Sequence, residues 1–154
     1  MKFYPRYINS HQNGVLDEKI KLARQLLKRC TLCPKNCLVN RSEDKRGFCE
    51  TGKKPIISSY MPHYGEEPQI SGFNGSGTIF ISQCNLKCCF CQNHEISLSG
   101  QGNEAQKGQL ASIMLQLQKQ GCHNINLVTP THIVPQFLED LAIAIDHGLT
   151  LPIV

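Results

Sequence analysis

Three of the nine cysteines have a spacing that can hold an iron-sulfur cluster. Cys84, Cys88 and Cys91 form a Cys-x3-Cys-x2-Cys pattern that begins where the apolar segment Thr78–Ile81 ends. Three thiolates can bind three irons of a 4Fe-4S cubane and leave the fourth iron without a protein ligand. An open coordination position is what distinguishes a catalytic metal from a structural one. The spacing therefore predicts a catalytic 4Fe-4S centre.

A second group of cysteines lies earlier in the chain, in a turn-rich segment with little apolar sequence of its own. Its members are Cys30, Cys33, Cys37 and Cys49, in the pattern Cys-x2-Cys-x3-Cys-x11-Cys. Four thiolates close a coordination shell, so this group predicts either structural zinc or an auxiliary 4Fe-4S cluster. The sequence leaves both alternatives open, together with a third in which no metal binds. An auxiliary cluster could carry electrons to the first.

The first group carries a family resemblance. Cys84, Cys88, Phe90 and Cys91 match the signature of the radical S-adenosylmethionine (SAM) superfamily, including its aromatic residue before the last cysteine. A wider stretch, from Cys30 to His132, resembles the pyruvate formate-lyase activating enzyme-like iron-sulfur proteins of that superfamily. The resemblance covers most of the chain.

The resemblance implies a chemistry. The amino and carboxylate groups of SAM chelate the open iron, and the reduced cluster passes one electron to the sulfonium. Cleavage yields methionine and a 5′-deoxyadenosyl radical, which abstracts a hydrogen atom. In the activating enzymes the hydrogen comes from a backbone glycine of a partner protein, so a glycyl radical enzyme is the expected substrate. Flavodoxin or ferredoxin is the expected electron donor.

The resemblance also implies which residues bind the cofactor. Phe90 is expected near the adenine, with Asn93 at the end of the same motif. Many radical SAM enzymes end their second strand with Gly-Gly-Glu, whereas here Thr129-Pro130 precedes Thr131 and His132. Thr131 and His132 can offer a hydroxyl and an imidazole in place of the carboxylate. The alternative for His132 is a capping role at the start of the following helix.

The elements that position these residues follow from periodicity. Leu16, Ile20, Ala23 and Leu27 share one helical face, so they predict a lead-in helix. Between residues 30 and 77, prolines and glycines predict turns and short extended pieces. Gly75 and Gly77 are expected to let the backbone approach the cluster loop closely.

From residue 78 onward, strand and helix patterns alternate. The predicted strands are Thr78–Ile81, Ile125–Val128 and Leu149–Val154. The first predicted helix carries Leu110, Ile113, Met114 and Leu117 and is stopped by Gly121. The second carries Val134, Phe137, Leu138, Leu141 and Ile145, with Pro135 near its start and Gly148 beyond its end. The alternation predicts parallel strands joined by crossover helices.

The fold class is therefore α/β, an incomplete (βα) barrel of radical SAM type with a Cys-rich N-terminal extension. We divide it into residues 1–77, the N-terminal helix and Cys-rich segment, and residues 78–154, the first strands and helices of the barrel. Three strands and two intervening helices cannot close a barrel. We therefore expect a fragment of a longer natural chain, truncated at its C-terminus, and such a fragment can bind a cluster yet be inactive.

Two non-enzymatic alternatives stand beside the radical SAM hypothesis. An iron-sulfur electron carrier would need a fourth thiol at the first group, and Cys89 is the nearby candidate. A zinc-binding structural module would need His94 to complete the site. Otherwise Cys89 and Cys122 are expected to be small buried residues without a chemical role.

Composition narrows the setting of the protein. The 154 residues carry a formal charge of +4 and are 40% hydrophobic, which indicates a globular chain. The charge is too small to predict a nucleic-acid or membrane partner. The sequence contains no secretory signal and no apolar run long enough for a membrane span. We expect a cytoplasmic protein, where clustered cysteines indicate metal binding rather than disulfides.

Overall fold

The computed structural model describes residues 4–154, which form helices packed on a small sheet. The helices are Arg6–Gln12 (α1), Val15–Lys28 (α2), Pro68–Ser71 (α3), His94–Ser97 (α4), Gln109–Lys119 (α5) and Val134–Asp146 (α6). The strands are Ile56–His63 (β1), Ser76–Ile81 (β2), Asn103–Glu104 (β3) and Ile125–Val128 (β4). Short 3-10 turns cover Arg41–Glu43 and Thr131–Ile133.

The sheet is open and mixed, with strand order β3-β1-β2-β4. β2 and β4 are parallel, in register from Gly77 opposite Ile125 to Phe80 opposite Val128. β1 runs antiparallel to both β2 and β3. The prediction that β2 and β4 are parallel strands is confirmed. Since β1 pairs with β2 along most of its length, one sheet joins residues from both predicted segments.

β1 corrects the prediction of only turns and short pieces before residue 77. The strand is eight residues long and contains Pro62 opposite Gly77. β3 pairs with Ile56 and Ile57, so within residues 4–154 the outer edge of β1 near Pro62 has no neighbouring strand. Because proline lacks an N–H donor, an unpaired edge is where a strand tolerates it. Because of this proline, the sequence pattern did not predict the strand.

The helices α5 and α6 cover one face of the sheet and form the core with it. Ile79 and Ile81 of β2 and Ile125 and Leu127 of β4 are buried there. The helical patterns predicted for both elements are confirmed, with Pro135 in the first turn of α6. The periodic strand residues and helical faces thus meet in a single apolar layer.

The lead-in helix packs on the outside of this layer. The predicted face is confirmed, with Leu16, Ala23 and Leu27 buried and Ile20 half-buried. Arg24 of α2 donates two hydrogen bonds to the carboxylate of Glu139 on α6. This helix therefore holds α6 against the sheet from the far side.

The C-terminal residues lie beside β4, where the sequence predicts a further parallel strand. Ile153 forms a parallel bridge to Ile125. Ile125 N–H donates to Pro152 O at 2.8 Å, and Leu127 N–H donates to Val154 O at 3.1 Å. The parallel pairing is present, but it involves only the last few residues of Leu149–Val154.

Gly75 and Gly77 do not act as the sequence predicted, and that expectation is wrong. Both lie at the start of β2, at the end of the sheet opposite the cysteine loop. A Cβ at Gly77 would lie 2.6 Å from the carbonyl oxygen of Asn124. A Cβ at Gly75 would lie 3.1 Å from the carbonyl oxygen of His63. These glycines instead allow close packing of β2 against its two neighbours.

No helix within residues 4–154 has both the length and the apolar character that crossing a bilayer requires.

A buried carboxylate fixes the crossover helices to each other. Asp140 of α6 is 5% exposed. Its oxygens accept hydrogen bonds from the N–H groups of Gly108 at 2.9 Å, Leu110 at 2.8 Å and Ala111 at 3.3 Å. Burial raises the pKa of Asp140, although the three backbone donors oppose that effect. A side chain from one helix thus caps the N-terminus of the other.

We predict that Asp140→Ala lowers the free energy of unfolding by about 2 kcal/mol, the upper end for loss of a helix cap, because three N–H groups lose their acceptor. Chemical denaturation measures the change. Asp146→Ala is the matched control on the same helix, since Asp146 is exposed and pairs with His11. That control should change stability by less than about 1 kcal/mol. Equal effects of the two substitutions would contradict the capping role.

Candidate functional site

The three cysteines of the first group lie on the loop that follows β2. We call residues 82–93 the cluster loop; it runs from the C-terminal end of β2 to α4. Gln83 N–H donates to Ile96 O at 3.1 Å, and Cys84 N–H donates to Ser97 O at 3.0 Å. Short helix α4 thus folds back on the start of the loop and anchors Cys84. Strand ends of parallel sheets are where α/β proteins bind ligands.

Cys84 and Cys91 share one small cavity at this edge of the sheet. The cavity has a volume of about 60 Å³. Its lining is Phe80, Ile81, Cys84, Cys91, Asn93, Ile96, Ser97, Val128 and Thr129. The parallel pairing of β2 and β4 therefore brings the cluster loop and the end of β4 to a common site.

Hydrogen-bond donors point at two of the sulfur atoms. Leu86 N–H donates to Cys84 Sγ at 3.3 Å. Ser97 Oγ–H donates to Cys91 Sγ at 3.2 Å. Donors to sulfur stabilise a thiolate, which is the metal-binding form of cysteine, and they tune the potential of iron-sulfur clusters. The loop thus provides thiols together with the donors that a bound cluster needs.

Cys88, the remaining cysteine of the first group, is joined to Cys91 through the backbone. Cys91 N–H donates to Cys88 O at 3.2 Å, so these two residues form one tight turn. Cys84 is buried, whereas Cys88 and Cys91 are half-buried. Within residues 4–154, no three Cys, His, Asp or Glu side chains converge on the position of a single metal ion. In a cubane, each thiolate binds a different iron, so the ligands need not converge on one point.

Only some of the residues that the resemblance assigns to cofactor binding line the cavity. Asn93 lines the cavity. Phe90 is 86% exposed, outside the cavity, and Thr131 is also exposed. Thr129, which was not predicted, lines the cavity at the end of β4.

His132 is buried behind the site, with 1% of its surface exposed. Its Nε2 lies 3.0 Å from the carbonyl oxygen of Ser82, so Nε2–H is the donor. It makes no side-chain cap at the start of α6. Burial lowers the pKa of His132 from 6.5 to about 4; the Ser82 carbonyl opposes the shift and the charge of Arg41 adds to it. His132 is thus a neutral link between the end of β4 and the start of the cluster loop.

Three residues around the site have left-handed backbone conformations without being glycine. Gln83 has φ 64°, Lys87 φ 49° and Thr129 φ 54°. For a β-branched residue such as Thr129, positive φ is a rare and strained conformation. Strain of this kind persists where the surrounding structure imposes it, typically at functional sites.

The second group of cysteines, which we call the cysteine quartet, lies on the turns between α2 and β1. Cys30 and Cys49 are buried, whereas Cys33 and Cys37 are half-buried. Phe48 N–H donates to Cys37 Sγ at 3.2 Å, which brings Cys37 close to the residue that precedes Cys49. A Cβ at Gly47 would lie 2.9 Å from Cys37 Sγ, so only glycine fits there without displacing the thiol.

The remaining two cysteines have different environments. Cys122 is 3% exposed within the main core, and burial raises its pKa, as expected for a structural thiol. Cys89 is exposed, so the prediction that it is buried is wrong. Whether a cysteine in such a loop is buried cannot be predicted from local sequence, because its burial depends on neighbouring segments.

Sequence analysis missed Ser97, Thr129 and Arg41. Ser97 lies six residues from Cys91, and only the fold of α4 shows that its hydroxyl meets the sulfur. Arg41 lies within the cysteine quartet, yet it is buried and donates to His132 O at 2.7 Å. An arginine between clustered cysteines was the available signal, although its burial is a tertiary property.

A larger cavity of about 230 Å³ lies elsewhere, lined in part by Arg24, Lys53, Gln136 and Glu139. None of its lining side chains is a thiol, and the Arg24–Glu139 ion pair occupies its wall. The chemistry-bearing residues therefore mark the smaller cavity as the candidate site.

Comparison with known proteins finds a relative that matches part of the chain. No family model matches the chain, and no solved structure matches it. The chain is 43% identical over 84 residues to "Uncharacterized protein MJ0674" of Methanocaldococcus jannaschii. The match covers 54% of this chain and 23% of that protein, so the aligned part spans about a quarter of the relative's length.

We predict that Thr129→Gly raises the free energy of unfolding by about 1 kcal/mol. Relief of left-handed strain gains ~1–3 kcal/mol, and the added freedom of glycine in the unfolded chain costs ~0.5–1 kcal/mol. Thr131→Gly is the control, since its φ is not positive, and it should destabilise. Thermal and chemical unfolding measure both. Destabilisation by Thr129→Gly would show that the conformation carries no strain.

We predict that burial of neutral His132 makes stability fall as the pH decreases from 6.5 to about 4. In that range the unfolded chain binds a proton at His132 that the folded chain does not, which costs up to about 3 kcal/mol. Denaturation at several pH values measures the slope. His132→Gln should flatten it, whereas the exposed control His147→Gln should not. A slope unchanged by His132→Gln would contradict this assignment.

Proposed function

We propose that this protein is a radical SAM iron-sulfur protein in which Cys84, Cys88 and Cys91 hold a 4Fe-4S cluster that reductively cleaves SAM. The observation that carries the proposal is the position of the cluster loop. It leaves the C-terminal end of β2, beside the end of parallel β4, and two of its thiols line one cavity with Thr129. The radical SAM type of barrel remains part of this proposal.

The chain's own residues suit a three-thiolate site. Ser97 carries out two tasks, since its carbonyl anchors Cys84 and its hydroxyl donates to Cys91 Sγ. Three thiolates would leave one iron of a cubane open to chelation by SAM, and the reduced cluster would supply the electron for cleavage of SAM to methionine and a 5′-deoxyadenosyl radical. Cys89 is exposed beside this turn and has no role in the proposal.

The geometry revises which residues would meet SAM. The cavity of about 60 Å³ is far smaller than the ~300–1,000 Å³ of a pocket that encloses a small molecule. It therefore fits the chelating end of the cofactor, next to Asn93 and Thr129. The adenine would extend outward, where Phe90 offers an exposed aromatic ring. His132 is committed to the Ser82 carbonyl and acts as a positioning residue.

The substrate and the redox partner come from the resemblance. A glycyl radical enzyme is the proposed protein substrate, and flavodoxin or ferredoxin is the proposed electron donor. All nine cysteines are free thiols, which suits the reducing cytoplasm. The proposed function involves no nucleic-acid partner and no membrane.

We predict that the chain, reconstituted anaerobically with iron and sulfide and then reduced, converts SAM to 5′-deoxyadenosine. Chromatography of the products measures the yield. Cys88→Ser should abolish it, because serine is a poor ligand for iron in a cubane. Cys89→Ser is the matched neighbouring control and should retain the yield within about twofold, since Cys89 is not a ligand.

Other outcomes favour the alternatives. A cluster that forms in Cys88→Ser but is lost in Cys89→Ser would contradict the proposed ligand set and favour an electron carrier with Cys89 as a ligand. A colourless protein containing only zinc would contradict the radical SAM function and favour a zinc-binding structural module.

A further inference from the structure

A buried positive charge lies between the two groups of cysteines. Arg41 is 1% exposed, the largest of the fully buried side chains. Its Nε and Nη2 donate to Gly52 O at 3.1 Å and 3.0 Å, and Nη1 donates to His132 O at 2.7 Å. No Asp or Glu of residues 4–154 forms an ion pair with it. Its hydrogen bonds are satisfied, but its charge is not neutralised by a carboxylate.

Such a charge requires a negative partner. An isolated ion buried in a protein costs several kcal/mol, and arginine does not lose its proton to escape that cost. The guanidinium contacts the sulfur of Cys30, with Nη1 4.0 Å from Sγ, and that sulfur carries negative charge when it binds a metal. Cys30 belongs to the cysteine quartet. The buried guanidinium therefore points to thiolates in the quartet.

The quartet segment lacks an apolar core that would hold it in place. Within residues 30–54, the buried apolar side chains are those of Cys30 and Cys49. The chain turns repeatedly, with positive φ at Asn36, Leu38 and Glu50. Backbone bonds between Cys30 and residues 38 and 39 close the first turn. A segment of this kind depends on metal binding for its stability.

We propose that Cys30, Cys33, Cys37 and Cys49 bind a tetrathiolate metal centre whose net negative charge is neutralised by buried Arg41. Within residues 4–154 no three thiols converge on the position of one ion, which favours a 4Fe-4S cluster, whose four irons each take one thiolate, over a single Zn²⁺. Four thiolates outnumber the two positive charges of an oxidised 4Fe-4S core, so the centre is negative. On binding, each cysteine releases its thiol proton to solvent and forms one metal–sulfur bond. No electron transfer is required. The inference stands independently of the proposed SAM chemistry.

The centre is linked to the cluster loop through two routes. Arg41 holds His132 O, and His132 Nε2 donates to Ser82 O, two residues before Cys84. On the other side, the ring of Phe48, next to Cys49, lies 5.0 Å from Lys87 Nζ of the cluster loop. Metal in the quartet thus fixes the position of Arg41 and, through it, the edge of the sheet where the first site lies.

The triple variant Cys84→Ser/Cys88→Ser/Cys91→Ser isolates the quartet, because it lacks the proposed SAM-binding cluster. After anaerobic reconstitution, elemental analysis should find about four irons with four sulfides per chain, and about one zinc instead would contradict the cluster. Absorbance at about 400 nm, which an iron-sulfur cluster shows and zinc does not, checks the result independently. Cys33→Ser/Cys37→Ser should lose that metal, whereas Cys89→Ser/Cys122→Ser should keep it.

A triple variant that binds no metal would overturn the proposal, whatever the wild-type protein does with SAM. Conversely, loss of SAM cleavage in a wild-type protein that keeps metal in the quartet would contradict only the proposed function. The two failures are therefore distinguishable.

Arg41→Gln, made in the triple variant, tests the counter-charge. Competition with a chelator should show affinity for the metal about 10–100-fold weaker, the usual effect of losing a partner of the ligands. Arg46→Gln is the control, since Arg46 is partly exposed and pairs with Glu104. Equal affinities in the two variants would overturn the role of Arg41. If Arg41→Gln does not fold, Gly47→Ala replaces it: displacing Cys37 should weaken binding to a similar extent, and unchanged affinity would count against the centre.

Discussion

The parallel pairing of β2 with β4 is the constraint on which the candidate site depends. It puts the C-terminal ends of both strands at one edge, so the cluster loop after Ile81 and the turn after Val128 lie side by side. The same pairing sets the crossover through α5, whose N-terminus is capped by Asp140 of α6. Without this register, Cys91 and Thr129 would not share a cavity.

Two buried side chains behind that edge connect it to neighbouring segments by hydrogen bonds. His132 joins the end of β4 to Ser82, and Arg41 joins His132 to the turns that carry the cysteine quartet. Both side chains are almost fully buried. The neutral imidazole donates from Nε2 to the Ser82 carbonyl, whereas its buried Nδ1 has no hydrogen-bond partner within residues 4–154. In the proposed centre, the guanidinium compensates the charge of the thiolates. The demand for charge compensation connects two groups of cysteines that are far apart in the sequence.

The periodic parts of the fold could be predicted from the sequence, and the irregular parts could not. Regular apolar patterns in the sequence identify helices α2, α5 and α6 and strands β2 and β4. The apolar residues of these elements are the ones that the fold buries. β1 was missed because Pro62 normally marks a strand as unfavourable, and only the short length of β3 makes it tolerable. Cysteine spacing identified the cluster loop. The roles of Ser97 and Thr129 depend on tertiary contacts and backbone conformation, which spacing does not encode.

The EPR spectrum of the reduced, reconstituted chain, recorded with and without SAM, shows whether the cluster loop presents an open iron. An iron without a protein ligand would bind the cofactor, so we expect the g values of the cluster to shift when SAM is added. A cluster signal from Cys84, Cys88 and Cys91 that is indifferent to SAM would contradict the claim that this loop presents an open iron.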